Sequence, residues 1–127
     1  VAGKKGDITA TPISAAEVES MFSGFDMKRL DGYARNMIDY HIVLDLVPSI
    51  ATLFFANKFE GVRLSVMQAA ILACIGLQHR SVDEVCSVLN IDSRQVLANF
   101  SKAMVKIHDS IQGVREKEEE KHLEIKD

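Results

Sequence analysis

Residues 42–55 read IVLDLVPSIATLFF, and this stretch decides the fold because Asp45 is its only charge. A helix that is apolar on nearly every face has to be buried on nearly every face. Pro48 is tolerated in a first helical turn. Asp45 is therefore interpreted as an N-cap whose carboxylate accepts backbone N–H groups where the helix restarts. A functional carboxylate is the alternative interpretation of Asp45.

Residues 66–77, VMQAAILACIGL, predict a second buried helix, with Ser65 as its N-cap. Alanine and glycine let a neighbouring helix approach closely. Residues 46–57 and 66–77 are therefore expected to form the central helix pair.

Polar signals predict the other helix boundaries. Ser14 with Glu17, and Ser81 with Glu84, match the capping-box pattern. The other predicted boundaries are Gly24 as the end of the first helix, Asp26 as the N-cap of the second, Asn90 as a left-handed helix end, and Asp92 or Ser93 as the N-cap of the last helix.

Length and composition agree with one all-α domain, a compact bundle of about five or six helices. The chain has 127 residues, of which 47% are apolar and 6% aromatic, with only two prolines. Three segments are predicted: a flexible linker at 1–13, a helical RNA-binding-type domain at 14–112, and an acidic tail, helical or frayed, at 113–127. The net charge is −3, yet residues 26–112 carry nine basic and nine acidic side chains. Any nucleic-acid site must therefore be a local basic patch.

Residues 81–107 have the layout of a helix-turn-helix: a short capped helix, a turn at 89–92 and a longer amphipathic helix. A plain pair of packed helices has the same pattern. The polar arc of the long helix would present arginine and lysine for phosphates, and asparagine and glutamine for base edges. Its apolar seam runs through Leu97, Phe100, Met104, Ile107, Ile111 and Val114. That seam is interpreted as core packing, with a partner helix as the alternative.

No catalytic motif is found in the sequence. It has no glycine-rich phosphate loop, no GxSxG and no HExxH or CxxC spacing. The four histidines have no close spacing, which argues against a metal site. No catalytic residue and no cofactor site is therefore predicted within this chain.

A longer pattern covers roughly residues 25–110. Its most specific parts are RNMIDYH at 35–41, LDLVP at 44–48 and GLQHRSVDE at 76–84. This pattern resembles the C-terminal helical domain of the RNA cytidine acetyltransferases, often called their tRNA-binding domain. The resemblance is closer to the eukaryotic, nucleolar branch than to the bacterial one.

The resemblance implies a large parent enzyme with an ATPase module and an acetyl-CoA-dependent acetyltransferase module. That enzyme would form N4-acetylcytidine in small-subunit ribosomal RNA and in some transfer RNAs. The chain would be a fragment that follows the acetyltransferase module. The implied partners are tRNA, small-subunit rRNA, the catalytic modules of the same chain and a protein adaptor for tRNA, with no membrane. The implied location is the nucleus and nucleolus, or the cytoplasm if the protein is bacterial.

Three functions follow from these observations: an RNA-contacting accessory domain that positions RNA, a DNA-binding helix-turn-helix domain, and a structural or dimerising module. The neutral charge of the core disfavours the DNA-binding domain. The candidate RNA-binding residues are Lys28, Arg29, Arg35, Asn36, Gln78, His79, Arg80, Arg94, Gln95, Asn99, Lys102 and Lys106.

Overall fold

The computed structural model describes residues 11–126, and their regular secondary structure is entirely helical. The elements are α1 (Ala15–Met21), α2 (Gly24–Ala34), a 3-10 helix (Tyr40–Leu46), α3 (Val47–Phe55), α4 (Val66–Gly76), α5 (Val82–Leu89) and α6 (Ser93–Lys126). The predicted all-α bundle is confirmed. None of these helices is both long and apolar enough to cross a bilayer.

Most of the predicted caps are confirmed. Ser14 caps α1 and Ser81 caps α5, each with the predicted capping box. Asn90 ends α5 in the left-handed conformation, at φ 59° and ψ 46°. Asp92 accepts the Gln95 backbone N–H at 2.9 Å and so caps α6. Local hydrogen bonding therefore sets these boundaries, as the sequence predicts.

The predicted boundary between α1 and α2 is wrong by a few residues. Gly24 begins α2 and does not end α1, and the N-cap of α2 is Ser23 and not Asp26. The Asp26 carboxylate accepts the Ser23 backbone N–H at 2.9 Å, while Ser23 Oγ accepts the Asp26 N–H at 3.0 Å. Ser23 and Asp26 thus form a capping box three residues apart, which places the helix start before the glycine.

The N-cap interpretation of Asp45 is also wrong. Residues Tyr40–Leu46 form a 3-10 helix that leads directly into α3, and Leu46 occupies the N-cap position without a side-chain hydrogen bond. Asp45 instead accepts two hydrogen bonds from Arg29 of α2. The backbone is already helical before Val47, so α3 does not need a side-chain cap there.

The predicted central pair is confirmed, because α3 packs against α4 and α4 packs against α6. Gly76 marks the close approach: a Cβ atom built on it would lie 2.5 Å from Ala51 Cβ. Phe100, Met104 and Ile107 of the α6 seam are fully buried in the core. The seam is therefore packed within this chain along these residues, as its core interpretation predicts.

Ile13 departs from the predicted linker. Its side chain is 4% exposed and belongs to the core, and its backbone N–H donates to the Lys58 carbonyl at 2.8 Å. The ordered fold thus begins at least one residue before Ser14. The rest of the predicted linker up to residue 10 lies outside the described residues.

Candidate nucleic-acid interface

The polar face of α6 carries five of the predicted RNA-binding residues. Its two amides are used within the helix: Gln95 Oε1 accepts the Asp92 N–H at 3.3 Å, and Asn99 Nδ2 donates to the Gln95 carbonyl at 2.9 Å. Arg94 and Lys102 are exposed. These two cations, more than the amides, are therefore the groups available to a ligand on this part of α6.

Lys106 has a structural contact that the sequence did not predict. Its Nζ donates to the Arg63 carbonyl at 2.9 Å and to Gln68 Oε1 at 3.1 Å. Gln68 is a buried capping-box residue of α4, and its Oε1 also accepts the Ser65 N–H. Lys106 therefore ties α6 to the start of α4, and its charge sits at the boundary between the two.

A groove of about 600 Å³ lies beside Lys106, between α6 and the chain that connects α3 to α4. Four cations line it, from both sides, together with the carboxylates of Glu60 and Asp109. The cations are Lys58, Arg63, Lys106 and Lys117. Lys58 Nζ also lies 3.5 Å from Glu17 Oε2, so one of the four charges is already paired and the positive excess of the groove is small. The chain as a whole is acidic.

The groove continues the polar stripe of α6. Lys102, Lys106, Gly113 and Lys117 recur at helical spacing and therefore share one face of the helix. A Cβ at Gly113 would meet no heavy atom within 4 Å, so the helix leaves open space there. The sequence contains this helical stripe, but only the fold brings Lys58 and Arg63 next to it.

Arg29, one of the predicted RNA-binding residues, makes structural contacts and is not a free cation. Its guanidinium donates to both carboxylate oxygens of Asp45 at 2.7 and 3.0 Å, to Asp26 at 2.7 Å and to the Ile42 carbonyl at 2.7 Å. The Arg29 hydrogen bonds lower the pKa of Asp45, and the bonds from Ser23 and Arg29 lower the pKa of Asp26. Two carboxylates thus neutralise Arg29 and leave it little affinity for phosphate.

The other predicted residues around α2 are in different situations. Arg35 Nε lies 3.1 Å from Asp31 Oδ2, so its charge is paired within the helix. Asp31 Oδ1 also lies 3.2 Å from Nε2 of His108, a buried histidine of α6. Asn36 takes a left-handed conformation at φ 63° after the helix ends, and Lys28 is exposed. Of this predicted set, Lys28 is the one cation without an ion pair among the described residues.

Gln78, His79 and Arg80 form the turn between α4 and α5. His79 has a left-handed backbone at φ 56°, and Arg80 Nε donates to Gln78 Oε1 at 2.7 Å. Arg80 faces Tyr40 and His41 of the 3-10 helix across a small pocket. Arg29 thus binds residues of the 3-10 helix, Arg80 binds within its own turn, and Lys106 binds residues at the start of α4.

No three His, Cys, Asp or Glu side chains are grouped to hold a metal ion within the described part of the chain.

The family described as "Possible tRNA binding domain" matches residues 1–127. The chain belongs to this family.

Several relatives of this chain are proteins named RNA cytidine acetyltransferase. The one from Dictyostelium discoideum is 42% identical over 109 residues, which are 86% of this chain and 10% of the relative. The Homo sapiens protein is 38% identical over 111 residues, 87% of this chain and 11% of the relative. The Schizosaccharomyces pombe protein is 34% identical over 116 residues, 91% of this chain and 11% of the relative. The chain therefore spans about a tenth of the length of the curated relatives it matches.

Proposed function

We propose that this chain is an RNA-contacting accessory domain of an RNA cytidine acetyltransferase, and that it positions RNA for a catalytic module outside the chain. The parent enzyme would use acetyl-CoA and ATP to form N4-acetylcytidine in small-subunit rRNA and tRNA. The family description and the names of the relatives support this proposal. Within the chain, the observation that most supports the RNA contact is the polar stripe of α6, whose lysines Lys106 and Lys117 line the groove.

The charge pattern predicts how the domain binds. Phosphate neutralisation by lysine and arginine supplies most sequence-independent affinity for RNA. Here the cations form a local patch with two carboxylates among them. The domain alone should therefore bind weakly and with a strong dependence on salt, and the parent enzyme would add the affinity of its other modules.

The wider context of the parent enzyme is part of the same proposal. Its partners would be tRNA, small-subunit rRNA and a protein adaptor for tRNA. It would act in the nucleus and nucleolus, in rRNA processing, tRNA processing and ribosome biogenesis. The eukaryotic sources of the relatives support this location over a bacterial cytoplasm.

Charge reversal on α6 tests the RNA contact. Lys102→Glu should weaken binding of a transfer RNA to the chain and reduce the salt slope by about 0.7–0.9 for each phosphate that is no longer neutralised. Lys28→Glu is the matched control, because Lys28 is also an exposed lysine on a helix but lies on α2, away from the polar stripe of α6. Fluorescence anisotropy at two salt concentrations gives both quantities, with duplex DNA of equal charge as the comparison ligand.

Equal effects of Lys102→Glu and Lys28→Glu would contradict the assignment of the α6 face. Lys106 is unsuitable for this test, because its reversal would also break the hydrogen bonds to Arg63 and Gln68. A loss of binding there could reflect a damaged fold.

Deletion of the domain from the full enzyme tests the positioning role. RNA acetylation should fall more than the affinity for acetyl-CoA, because the domain contributes to RNA placement alone. Unchanged RNA acetylation by a well-folded truncated enzyme would instead favour a structural module. The exposed Phe25 and Ile42 give that second candidate its support, since they could pack against another module.

A further inference from the structure

A second pocket lies on a different part of the surface from the groove, where the 3-10 helix meets the end of α4 and the start of α5. Its volume is about 240 Å³. Leu44, Ile75 and Val82 provide apolar walls, and Tyr40, His41 and Arg80 also line it. Drug-sized ligands occupy clefts of about 300–1,000 Å³, so this pocket suits a smaller group such as one heterocycle.

Two rings, those of Tyr40 and His41, stack on each other at the pocket, so each has only its outer face free for a ligand. The centroids of Tyr40 and His41 are 4.0 Å apart, with 33° between their planes. Asp39 accepts the His41 backbone N–H at 3.0 Å, and its carboxylate also pairs with the His41 ring Nδ1. These bonds hold the His41 ring in place before any ligand arrives, which reduces the entropic cost of binding.

Arg80 supplies a cation at the same pocket. Its Nε donates to Gln78 Oε1 at 2.7 Å, and its backbone N–H donates to the Cys74 carbonyl at 2.9 Å. The backbone bond holds the residue in the turn and the Nε bond orients the guanidinium, while neither bond uses its two terminal nitrogens. Those nitrogens have the geometry that binds a phosphate with two hydrogen bonds.

We propose that this pocket binds the base of one unpaired nucleotide of RNA, and that Arg80 binds the phosphate of that nucleotide. Unpaired bases are recognised by stacking on aromatic side chains, and a duplex does not expose its bases in this way. Burial raises the pKa of Tyr40, and the negative charges of Asp39 and Asp83 raise it further. These carboxylates disfavour several phosphates at this pocket, so a single inserted base fits better than a length of backbone.

This inference rests on the proposed RNA contact but uses a different surface. Its first test compares a short single-stranded RNA with an RNA duplex of the same length, in binding to the full 127-residue chain. Tyr40→Leu should weaken binding of the single strand by about fivefold or more, because the stacking ring is removed. Tyr40→Phe keeps the ring and should bind within about twofold of the wild type. Duplex binding should change with Lys102→Glu and not with Tyr40→Leu.

Nuclear magnetic resonance gives a second measurement that needs no variant. Cytidine 5′-monophosphate should shift the methyl signals of Leu44, Ile75 and Val82, whereas inorganic phosphate should leave them in place. The absence of these shifts, or equal shifts with phosphate, would overturn the nucleotide pocket even if Tyr40→Leu fails to fold.

The outcomes separate the two proposals. If Tyr40→Leu binds the single strand like the wild type while Lys102→Glu weakens both RNAs, the pocket is refuted and the RNA contact of α6 stands. If Lys102→Glu has no effect while Tyr40→Leu and the methyl shifts behave as expected, the α6 interface is refuted and the pocket stands.

Discussion

Among the glycines that the structure describes, Gly76 should be the least tolerant of a side chain. It is the last residue of α4 and is buried at the crossing with α3. A Cβ at this position would lie 2.5 Å from Ala51 Cβ, 3.0 Å from the Val47 carbonyl oxygen and 3.2 Å from Val47 Cγ1. Ala51 and Val47 are themselves fully buried, so neither has free space into which to move.

The cost of Gly76→Ala follows from this geometry. Adding a carbon to a well-packed core usually costs about 1–3 kcal/mol, because the backbones have to separate. Replacing glycine by alanine within a helix returns up to about 1 kcal/mol, and less at a helix end. We therefore expect Gly76→Ala to lower the free energy of unfolding by about 1–2 kcal/mol.

Gly113→Ala is the matched control, since Gly113 lies within α6 and its new Cβ would meet no atom within 4 Å. This change should raise the free energy of unfolding by about 0.5–1 kcal/mol. Urea denaturation followed by circular dichroism measures both changes, and the midpoint should shift in opposite directions with similar slopes. A Gly76→Ala chain as stable as the wild type would refute the close approach of α3 and α4.

Three further predictions concern the cluster at Arg29 and the turn at Asn90. Arg29→Lys should lower the free energy of unfolding by about 1–2 kcal/mol, because lysine cannot form the bidentate pair of hydrogen bonds to Asp45. The figure is modest because the Asp45 carboxylate is partly exposed and screened by solvent. An unchanged midpoint of urea denaturation would contradict this. The folded state lowers the pKa of Asp26 and Asp45. Their contribution to stability is therefore present above their ordinary pKa near 4 and is lost as the pH falls through their lowered, folded-state pKa. Between pH 7 and pH 3 the urea midpoint should therefore fall less for Asp45→Asn than for the wild type. Asn90→Ala should lower the free energy of unfolding by about 1 kcal/mol, because alanine keeps the Cβ but lacks the short polar side chain that lets asparagine adopt the left-handed conformation. Asn90→Gly has no Cβ at that position and should be nearly neutral in thermal denaturation.

The helices and their ends could be predicted from the sequence because their signals are local. A capping box depends on two residues three positions apart, and it identified the starts of α1 and α5. The periodic apolar seam of α6 likewise identified core residues such as Phe100 and Met104. The start of α2 was misplaced because Gly24 was interpreted as a helix end, although the same kind of capping signal, at Ser23 and Asp26, surrounds it.

The roles of the charged residues depended on contacts between distant parts of the chain. Arg29 meets Asp45, sixteen residues away, and Lys106 meets Arg63, forty-three residues away. A helical wheel shows only that these side chains leave the apolar face, because it carries no information on what lies opposite them. It therefore cannot tell a free cation from a paired one.

The sequence alone determined that this is an all-α chain with a central apolar pair, where most of its helices begin and end, and its resemblance to the family. These properties follow from hydrogen bonding and hydrophobic periodicity within a few turns of helix. The tertiary structure decided which cations are neutralised, that Ile13 joins the core, and where the groove and the Tyr40 pocket form. Surfaces of this kind are made by side chains from separate helices, so their shape and charge exist only after those helices pack.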